Sequence, residues 1–352
     1  MDTVLFTPTR ISGSVCYHYT VYFMNVTMRD PARDILRGLT FYEMEYTNHS
    51  DYLQHQAPGI NGITYADTIF PTFLFVSGMG SRSTYRNIQT VGLGLSYNFL
   101  KQFDRSWVKS PQTITVRPFG VLQRIGLAGL VLKLAPNPAR LESCAYPICA
   151  IALWMCLSYG MATDIRHPFK KAALSAQTKI DKFVLSSFGP HFTLYTPDLD
   201  PEGLLGTLMA SVSMWFGAWV SENIVSYNDA FMTGLSLFSF GHMFSYAFPR
   251  TCPMNKPYWT LSFMLSTTGV SLLRYTFVKA AVPYFPSMLT KLLSATGKHT
   301  LLLFFASAVL DKVSVTAQVK RLVNKFVGGI AGDLISTTVI NTGLASLAMM
   351  LG

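Results

Sequence analysis

Residues 204–220 read Leu-Leu-Gly-Thr-Leu-Met-Ala-Ser-Val-Ser-Met-Trp-Phe-Gly-Ala-Trp-Val. The run has no charged side chain and is about as long as a helix must be to cross the hydrocarbon core of a bilayer. Three further uncharged runs share these properties, so the pattern predicts four secure membrane spans. The other three runs are residues 143–163, 257–273 and 334–352.

The composition of the whole chain also indicates a membrane protein. Half of the 352 residues are hydrophobic, 13% are charged, and the mean hydropathy is +0.30. The formal net charge is +10, but the basic residues are scattered through connectors, which favours contacts with lipid headgroups over nucleic acid. We therefore expect membrane lipid as a partner and no nucleic acid. The sequence is compatible with a homo-oligomer and does not determine the oligomeric state.

Six shorter or more polar segments raise the expected number of spans to about ten. The fold class predicted is therefore all-α, a polytopic membrane protein built as a bundle of about ten transmembrane helices over residues 33–352. An N-terminal segment, 1–32, precedes it and has no clear role. The six weaker candidates are 35–48, 68–80, 87–100, 119–134, 230–248 and 300–310.

The first candidate span has polar groups near both ends, Arg37 and Asn48. On a helix they would lie roughly 16 Å apart, about half the thickness of the hydrocarbon core. That spacing suits a transfer reaction in which the carrier of a chemical group enters from one side of the membrane and the molecule that accepts the group enters from the other. Glu43 and Glu45 lie between them, which weakens the segment as a lipid-exposed helix. Glu45 shares a helical face with His49, so this carboxylate and imidazole together form an alternative candidate for a catalytic base.

Polar side chains gather in four connectors, each of which follows an odd-numbered span. Such connectors share one face of the membrane. Polar groups at membrane depth are costly unless they are paired or line a wet cavity, so the cluster predicts a site, with interfacial caps and anchors as the alternative. The residues are His49, Asp51, His55 and Asn61 in the first connector, Gln123 and Arg124 in the second, Asp200 and Glu202 in the third, and Asn255, Lys256 and Trp259 in the fourth.

Five sequence blocks stand out within residues 33–310. They are Asp-Ile-Leu-Arg-Gly-Leu-Thr (34–40), Asn-Gly-Ile-Thr-Tyr-Ala-Asp-Thr-Ile-Phe-Pro (61–71), Val-Arg-Pro-Phe-Gly-Val-Leu-Gln-Arg-Ile-Gly (116–126), Asp-Pro-Glu-Gly-Leu-Leu-Gly-Thr (200–207) and Pro-Met-Asn-Lys-Pro-Tyr-Trp-Thr-Leu-Ser-Phe (253–263). In this order they resemble the catalytic domain of the heparan-alpha-glucosaminide N-acetyltransferase family. The resemblance implies a membrane acyltransferase that takes acetyl from cytosolic acetyl-CoA and delivers it to the amine of an amino sugar on the luminal side. By the same analogy it implies a multi-pass protein of the lysosomal or vacuolar membrane, or otherwise of the plasma membrane.

The resemblance also places two catalytic residues, a reactive histidine at His55 and an asparagine at Asn48. The chemistry alone asks for a base, and an imidazole suits that role, either by removing the acceptor's proton or by accepting the acetyl group. The Asn48 amide suits the thioester carbonyl or the oxyanion. Arg37 suits a phosphate of CoA, with a surface anchor paired to Asp34 as the equal alternative.

The remaining polar residues are expected to bind the two substrates. Gln123 and Arg124 join Arg37 as candidates for acetyl-CoA binding, although Arg124 could instead hold an anionic sugar group or snorkel. Helix capping and membrane anchoring are the competing roles for the acceptor-binding candidates. Those candidates are Asp67, Asp200, Glu202, Asn255, Lys256 and Trp259. We expect no metal.

Two other classes of function remain as alternatives. A transporter would also have about ten spans, but transporters usually show halves related by a repeat, and the sequence shows none. A noncatalytic remnant of the acyltransferase family is favoured by departures from the family pattern. Two extra residues separate His55 from Asn61, and Lys298-His299 stands where relatives have a neutral asparagine.

Overall fold

The chain divides into two compact units, Met1–Pro31 and Ala32–Gly352. The computed structural model describes residues 7–11, 14–18, 30–50, 53–56, 60–80, 83–102, 116–189, 191–224, 226–312 and 314–350. In the first unit, β1 (Thr7–Ile11) and β2 (Ser14–His18) form an antiparallel hairpin. Most of the rest of segment 1–32 lies outside the described residues.

The regular secondary structure of the second unit is helical in the described residues, apart from two isolated β-bridges in its loops, which confirms the all-α prediction for that part of the chain. Short 3-10 turns join several of the helices. The described α-helices are α1 (Pro31–His49), α2 (Tyr65–Gly78), α3 (Thr84–Gln102), α4 (Val121–Val131), α5 (Ala145–Gly160), α6 (Ala176–Phe188), α7 (Leu204–Asn223), α8 (Tyr227–Ala247), α9 (Leu261–Ala281), α10 (Ser287–Lys298), α11 (Thr300–Lys312), α12 (Val315–Asn324) and α13 (Gly329–Met350).

Among the described residues, two helical stretches are long and apolar enough to cross a bilayer by length and composition. They are Leu141–Gly160 and Leu204–Asn223, and α10 with α11 adds a third if that pair, bent by 83°, is one span. Two of the four spans predicted as secure, 143–163 and 204–220, correspond to these helices. Helix α2 has 14 residues and α4 has 11, fewer than the roughly 20 that a perpendicular span needs. The count of ten spans therefore stays a prediction.

Several helices of the bundle expose large apolar side chains. Helix α8 exposes several large side chains, and similar residues are exposed on α5 and α13. A soluble monomer rarely exposes apolar patches of this extent. The exposed residues of α8 include Phe231, Met232, Leu235, Phe240 and Met243. These faces, together with the apolar helices, support a location in the membrane.

Helices α2 and α7 cross at very short range because glycines occupy the contact. A Cβ atom added to Gly217 would lie 1.9 Å from the carbonyl oxygen of Phe75, and one added to Gly78 would lie 1.8 Å from that of Met214. Small residues at helix crossings are typical of membrane bundles, where close packing is a main force between helices. The crossing fixes α2, which carries Asp67, against the centre of the bundle.

We expect Gly217→Ala to lower the thermal midpoint, because the new methyl group overlaps the Phe75 carbonyl and forces the helices apart. Overpacking of this kind costs about 1–3 kcal/mol. Gly92→Ala in α3 is the matched control, since nothing lies within 4 Å of its Cβ position. There the substitution should be neutral or stabilise by up to about 1 kcal/mol. Thermal melts in detergent compare the two variants, and equal midpoints would contradict the close crossing.

Helices α1 and α2 run antiparallel. Arg33 Nη1 donates a hydrogen bond to the Met79 carbonyl oxygen at 3.0 Å, near the start of α1 and just after the end of α2. At the other end, the Tyr65 hydroxyl donates to Glu43 Oε1 at 2.7 Å. The start of α1 therefore lies beside the end of α2, which separates Arg37 from the polar residues that precede α2.

Candidate functional site

His55, Asp67 and Lys256 form one hydrogen-bonded group, called here the imidazole cluster. His55 Nδ1 lies 3.0 Å from Asp67 Oδ1, and Lys256 Nζ lies 3.1 Å from His55 Nδ1 and 3.2 Å from Asp67 Oδ1. The Asp67 side chain is 1% exposed, whereas that of His55 is 51% exposed. An imidazole held on a buried carboxylate with one side open to solvent is the arrangement that a general base or a nucleophile requires.

Asp67 lies at the third position of α2, and its two oxygens have different partners. Oδ2 accepts from the backbone N–H groups of Thr64 and Gln56, both at 3.1 Å, and from the Thr64 hydroxyl at 3.0 Å. With Thr64 it forms a capping box at the start of the helix. Oδ1 faces His55 and Lys256. The sequence presents helix capping and a role in the site as competing roles for Asp67. In the structure one carboxylate does both, because one oxygen caps α2 and the other bonds His55 and Lys256.

The charges in the imidazole cluster stabilise one another. Burial alone would raise the pKa of the Asp67 carboxyl, but the hydrogen bond with His55, the Lys256 ammonium and the two backbone N–H groups together hold that pKa well below its usual range. Burial lowers the pKa of Lys256, although the Asp67 carboxylate opposes this shift. Asp67 is therefore a carboxylate at all physiological pH values and provides a fixed negative charge beside His55 Nδ1.

Two connectors meet to place Lys256 beside His55. Asn255 Nδ2 donates to Asn61 Oδ1 at 3.0 Å, and the Gly62 N–H donates to the Met254 carbonyl oxygen at 2.8 Å. These bonds hold the segment before α9 against the segment before α2. Of the expected acceptor-binding residues, the structure thus brings Asp67, Asn255 and Lys256 together with His55.

Asp200 and Glu202 are already paired within the protein. Arg117 donates from Nε to Asp200 Oδ2 at 2.8 Å and from Nη2 to Asp200 Oδ1 at 2.6 Å, and it also bonds Glu202. The Tyr195 N–H donates to Asp200 at 2.9 Å, and the Asp200 side chain is 0% exposed. Asp200 therefore bonds protein groups and has no open surface in this structure, and a role for these carboxylates in holding the acceptor's ammonium stays a prediction.

Trp259 and Arg124 pack together in the core. The Arg124 guanidinium lies 4.8 Å from the centre of the Trp259 ring and donates to the Gly203 carbonyl oxygen at 3.1 Å. Both side chains are buried, and Trp259 has φ 50, a strained value for a residue with a side chain. Trp259 therefore offers no open face to a sugar. Its position after Lys256 instead fixes the backbone that presents the lysine.

The three residues expected to bind acetyl-CoA are not brought together. Gln123 is buried beside Gly94 and Gly120, close to where Arg124 contacts Trp259. Arg37 Nη2, by contrast, donates to the Val76 carbonyl oxygen at 3.4 Å. Gln123 and Arg124 therefore do not form a subsite with Arg37 as the sequence grouping predicts.

Arg37 and the imidazole cluster lie at opposite ends of α2. Val76, which contacts Arg37, follows Asp67 by nine residues, which corresponds to roughly 14 Å along a helix. The opposed placement agrees with a donor and an acceptor that approach from different sides. Asn48 is exposed in the last turn of α1, and no hydrogen bond in the described part of the chain joins it to the cluster.

His49, the alternative base, has both ring nitrogens occupied. Nδ1 lies 2.8 Å from the Glu45 carbonyl oxygen, and Nε2 lies 2.9 Å from Asp311 Oδ1. The Glu45 carboxylate accepts from the Ser307 hydroxyl at 2.6 Å. These bonds tie α1 to α11 and leave no ring nitrogen for a substrate, which favours His55 over His49 as the base.

The sequence analysis missed Arg274, which lies inside the bundle between the two ends of α2. Arg274 forms an ion pair with Glu43, donates to the Thr72 hydroxyl at 3.4 Å and lies over the Tyr65 ring. The Thr72 hydroxyl also lies 3.1 Å from that of Ser271. Glu43 was the available signal, because a carboxylate in an apolar helix needs a cationic partner. The bundle interior therefore contains a polar track between Arg37 and the imidazole cluster.

Asp181 on α6 lies beside the start of α7, near Asp200 and Arg124, and outside the candidate spans. Its Oδ1 accepts from the Leu204 N–H at 2.9 Å, at the start of α7, and its Oδ2 has no hydrogen-bond partner among the described residues. Burial raises the pKa of this carboxyl to about 7. The folded protein therefore retains a proton that the unfolded chain, with an aspartate pKa of about 4, has already released.

From this we expect Asp181→Asn to raise the thermal midpoint at pH 8 and to leave it nearly unchanged at pH 4. Wild-type stability should fall as pH rises from about 4 to 7, because only the unfolded state releases the proton across that window. The asparagine retains an oxygen to accept the Leu204 N–H and never ionises. Melts of both proteins at the two pH values test this, with the exposed Asp198→Asn as control. A midpoint gain that is equal at pH 4 and pH 8 would contradict the assignment.

Comparison with known proteins adds one distant relationship. No family model matches the chain. Among curated proteins, the chain is 24% identical over 302 residues to the heparan-alpha-glucosaminide N-acetyltransferase of Mus musculus, an alignment that covers 66% of this chain and 46% of that protein. The chain thus spans about half the length of this relative. At this level of identity, the match supports a distant relationship to an N-acetyltransferase.

Proposed function

We propose that this chain is a membrane acetyltransferase that moves acetyl from acetyl-CoA to the amine of an amino sugar, with His55 as the reactive imidazole. The observation that carries the proposal is the imidazole cluster, in which Asp67 and Lys256 hold His55 at one end of the helical bundle. The distant relationship to a heparan-alpha-glucosaminide N-acetyltransferase supports the same reaction.

The tautomer of His55 determines what the cluster does. When Nδ1 carries the proton and donates it to Asp67, Nε2 retains its lone pair and acts as a base or a nucleophile. When Lys256 donates to Nδ1 instead, the proton lies on Nε2, which then only donates. The buried Asp67 carboxylate favours the first arrangement, since it accepts from both Nδ1–H and the Lys256 ammonium. We assign that tautomer to the resting enzyme.

The chemical step then balances around Nε2. The acceptor nitrogen attacks the thioester carbonyl, the C–N amide bond forms and the C–S bond breaks. His55 takes the proton that leaves the amine and passes it to the departing CoA thiolate. In a two-stage route, Nε2 attacks the thioester carbonyl and the C–S bond breaks, which forms acetyl-His55 and releases the CoA thiolate. The amine then attacks this acetyl group, the amide C–N bond forms as the bond to Nε2 breaks, and the amine proton passes to the thiolate or to solvent.

Arg37 at the opposite end of α2 supports a donor site there. Arg37 is half-buried beside the end of α2, and its fixed charge and planar donors suit a phosphate group of CoA. The polar track of Thr72, Ser271 and Arg274 lies between this end and His55. A donor that binds with its phosphates at Arg37 would extend its thioester along that track.

The test is acetyl transfer by the purified full chain in a lipid bilayer. Vesicles that hold the protein are incubated with acetyl-CoA labelled in the acetyl group on one side and glucosamine on the other. Labelled N-acetylglucosamine is the expected product. Labelled acetyl-CoA accumulated in the vesicles without product would favour a transporter, and neither product nor uptake would favour a noncatalytic remnant.

The polar track is the one observation that favours the transporter. Buried ionisable residues inside a bundle often mark a pathway for a polar solute. Glu43 and Arg274 neutralise each other there, with side-chain exposures of 24% and 17%. A transport pathway does not require an imidazole held on a carboxylate, so the imidazole cluster favours the enzyme.

A further inference from the structure

Helix α12 presents three different faces, and only one of them is buried in the protein. The buried face is anchored by Lys320, whose Nζ lies 3.0 Å from Asp333 Oδ1 and donates to the His49 carbonyl oxygen at 2.8 Å. Thr316 on the same side donates to Asp311 at 2.6 Å. These bonds fix the rotation of α12 about its axis, and with it the direction of the other two faces.

A second face is basic and contains no acidic side chain. Ala317, Arg321, Asn324 and Lys325 line a shallow groove of about 440 Å³, with Lys320 of the buried face at its edge. Arg321 and Lys325 are exposed, and Arg321 Nε donates to the Ala317 carbonyl oxygen of its own helix at 3.2 Å. Residues 314–327 include three basic residues and no Asp or Glu. The groove therefore offers two cationic groups that suit an anion such as a phosphate.

The third face is apolar and exposed. Val315, Val319, Leu322 and Phe326 recur at helical spacing and form one stripe. Val315 is 36% exposed, Leu322 58% and Phe326 82%. By helical periodicity the stripe lies between Lys325 on one side and the buried face on the other. The apolar helix α13, one of the four runs predicted to span the membrane, follows directly after it.

We propose that α12 lies in the interface of the bilayer and binds the headgroup of an anionic phospholipid at Arg321 and Lys325, while the apolar stripe enters the acyl region. An amphipathic helix with basic residues beside an exposed apolar stripe binds anionic bilayers through both parts. Charge complementarity selects an anionic lipid over a neutral one. The proposal does not depend on acetyl transfer.

The test counts bound lipid on the purified full chain. The protein is extracted from nanodiscs of phosphatidylcholine that contain increasing phosphatidylglycerol, and native mass spectrometry measures the phosphatidylglycerol retained. Because each basic residue near an anionic surface contributes about a fivefold gain, Arg321→Gln with Lys325→Gln should weaken retention about thirtyfold. Lys170→Gln with Lys171→Gln removes the same charge from another exposed segment and should leave retention unchanged.

Two further measurements distinguish binding of a phospholipid from binding of a free phosphate compound. Leu322→Gln with Phe326→Gln should also weaken phosphatidylglycerol retention, because the stripe would no longer enter the acyl region. Soluble glycerol 3-phosphate should compete only weakly with the lipid. Equal losses in the Lys170 and Lys171 control, or full competition by glycerol 3-phosphate, would overturn the assignment. Thermal melts of each variant verify that it is folded.

Discussion

His55→Ala is expected to abolish acetyl transfer while the protein stays folded in the membrane. The imidazole provides the only nitrogen of the cluster that is open to a substrate, since Asp67 and Lys256 occupy the Nδ1 side. Loss of a positioned general base lowers rates about 10²-fold to 10⁴-fold. The side chain is 51% exposed and Lys256 still pairs with Asp67 when the ring is removed, so the thermal midpoint should fall only modestly. Turnover of labelled acetyl-CoA and a melt of the same preparation measure both effects.

Two other histidines serve as controls for this result. His191→Ala removes an exposed imidazole from a connector and should preserve both rate and stability. His49→Ala removes a ring that joins Glu45 to Asp311, so it should lower the thermal midpoint but retain most of the rate. If His55→Ala turned over at the wild-type rate and His49→Ala did not, the base would be His49.

The same variant separates the two catalytic routes. If Nε2 accepts the acetyl group, wild-type protein incubated with labelled acetyl-CoA and no acceptor should retain label, and His55→Ala should not. If His55 acts only as a base, neither protein retains label, and initial rates depend on both substrates together. Either outcome is compatible with transfer at His55, and each assigns a different role to the ring.

Sequence patterns predicted the helical class well because long apolar runs leave the backbone few alternatives in lipid. Residues 204–220 correspond to α7, and the run 143–163 corresponds to α5. The number of spans was harder to predict, since short apolar runs such as 119–134 become helices of only 11 residues. Hydropathy measures only the composition of a window of residues. It does not report the bend between α10 and α11, because that bend depends on packing between helices.

The position of a polar residue could be predicted where the sequence pattern that fixes it lies in the same connector. Asp67 follows Thr64 by three residues, which marks a helix start, and His55 lies in the same connector. The partners of Asp200 and Arg274 were not predictable, because Arg117 and Glu43 lie 83 and 231 residues away along the chain. Charges that look available in the sequence become structural when a distant helix supplies the counter-ion.

Asp67→Asn should lower the rate about 10⁴-fold while it preserves the start of α2. An asparagine oxygen still accepts the Thr64 and Gln56 N–H groups, so the cap remains. Its NH2 group, however, donates to His55 Nδ1 and places the ring proton on Nε2. That wrong tautomer leaves the ring in place without a base, and a comparable change in a His–Asp pair costs about 10⁴ in turnover.

The stability of this variant should depend on pH in a defined direction. The depressed pKa of Asp67 means that its carboxylate stabilises the wild-type fold above the ordinary carboxyl range, and that this contribution is lost as pH falls toward the depressed value. Asp67→Asn removes the contribution and leaves Lys256 without a counter-charge, which should cost about 3–5 kcal/mol near pH 7. Adding Lys256→Met should restore most of the stability and none of the rate. A rate restored together with the stability would show that Asp67 serves the fold alone and has no role in positioning His55.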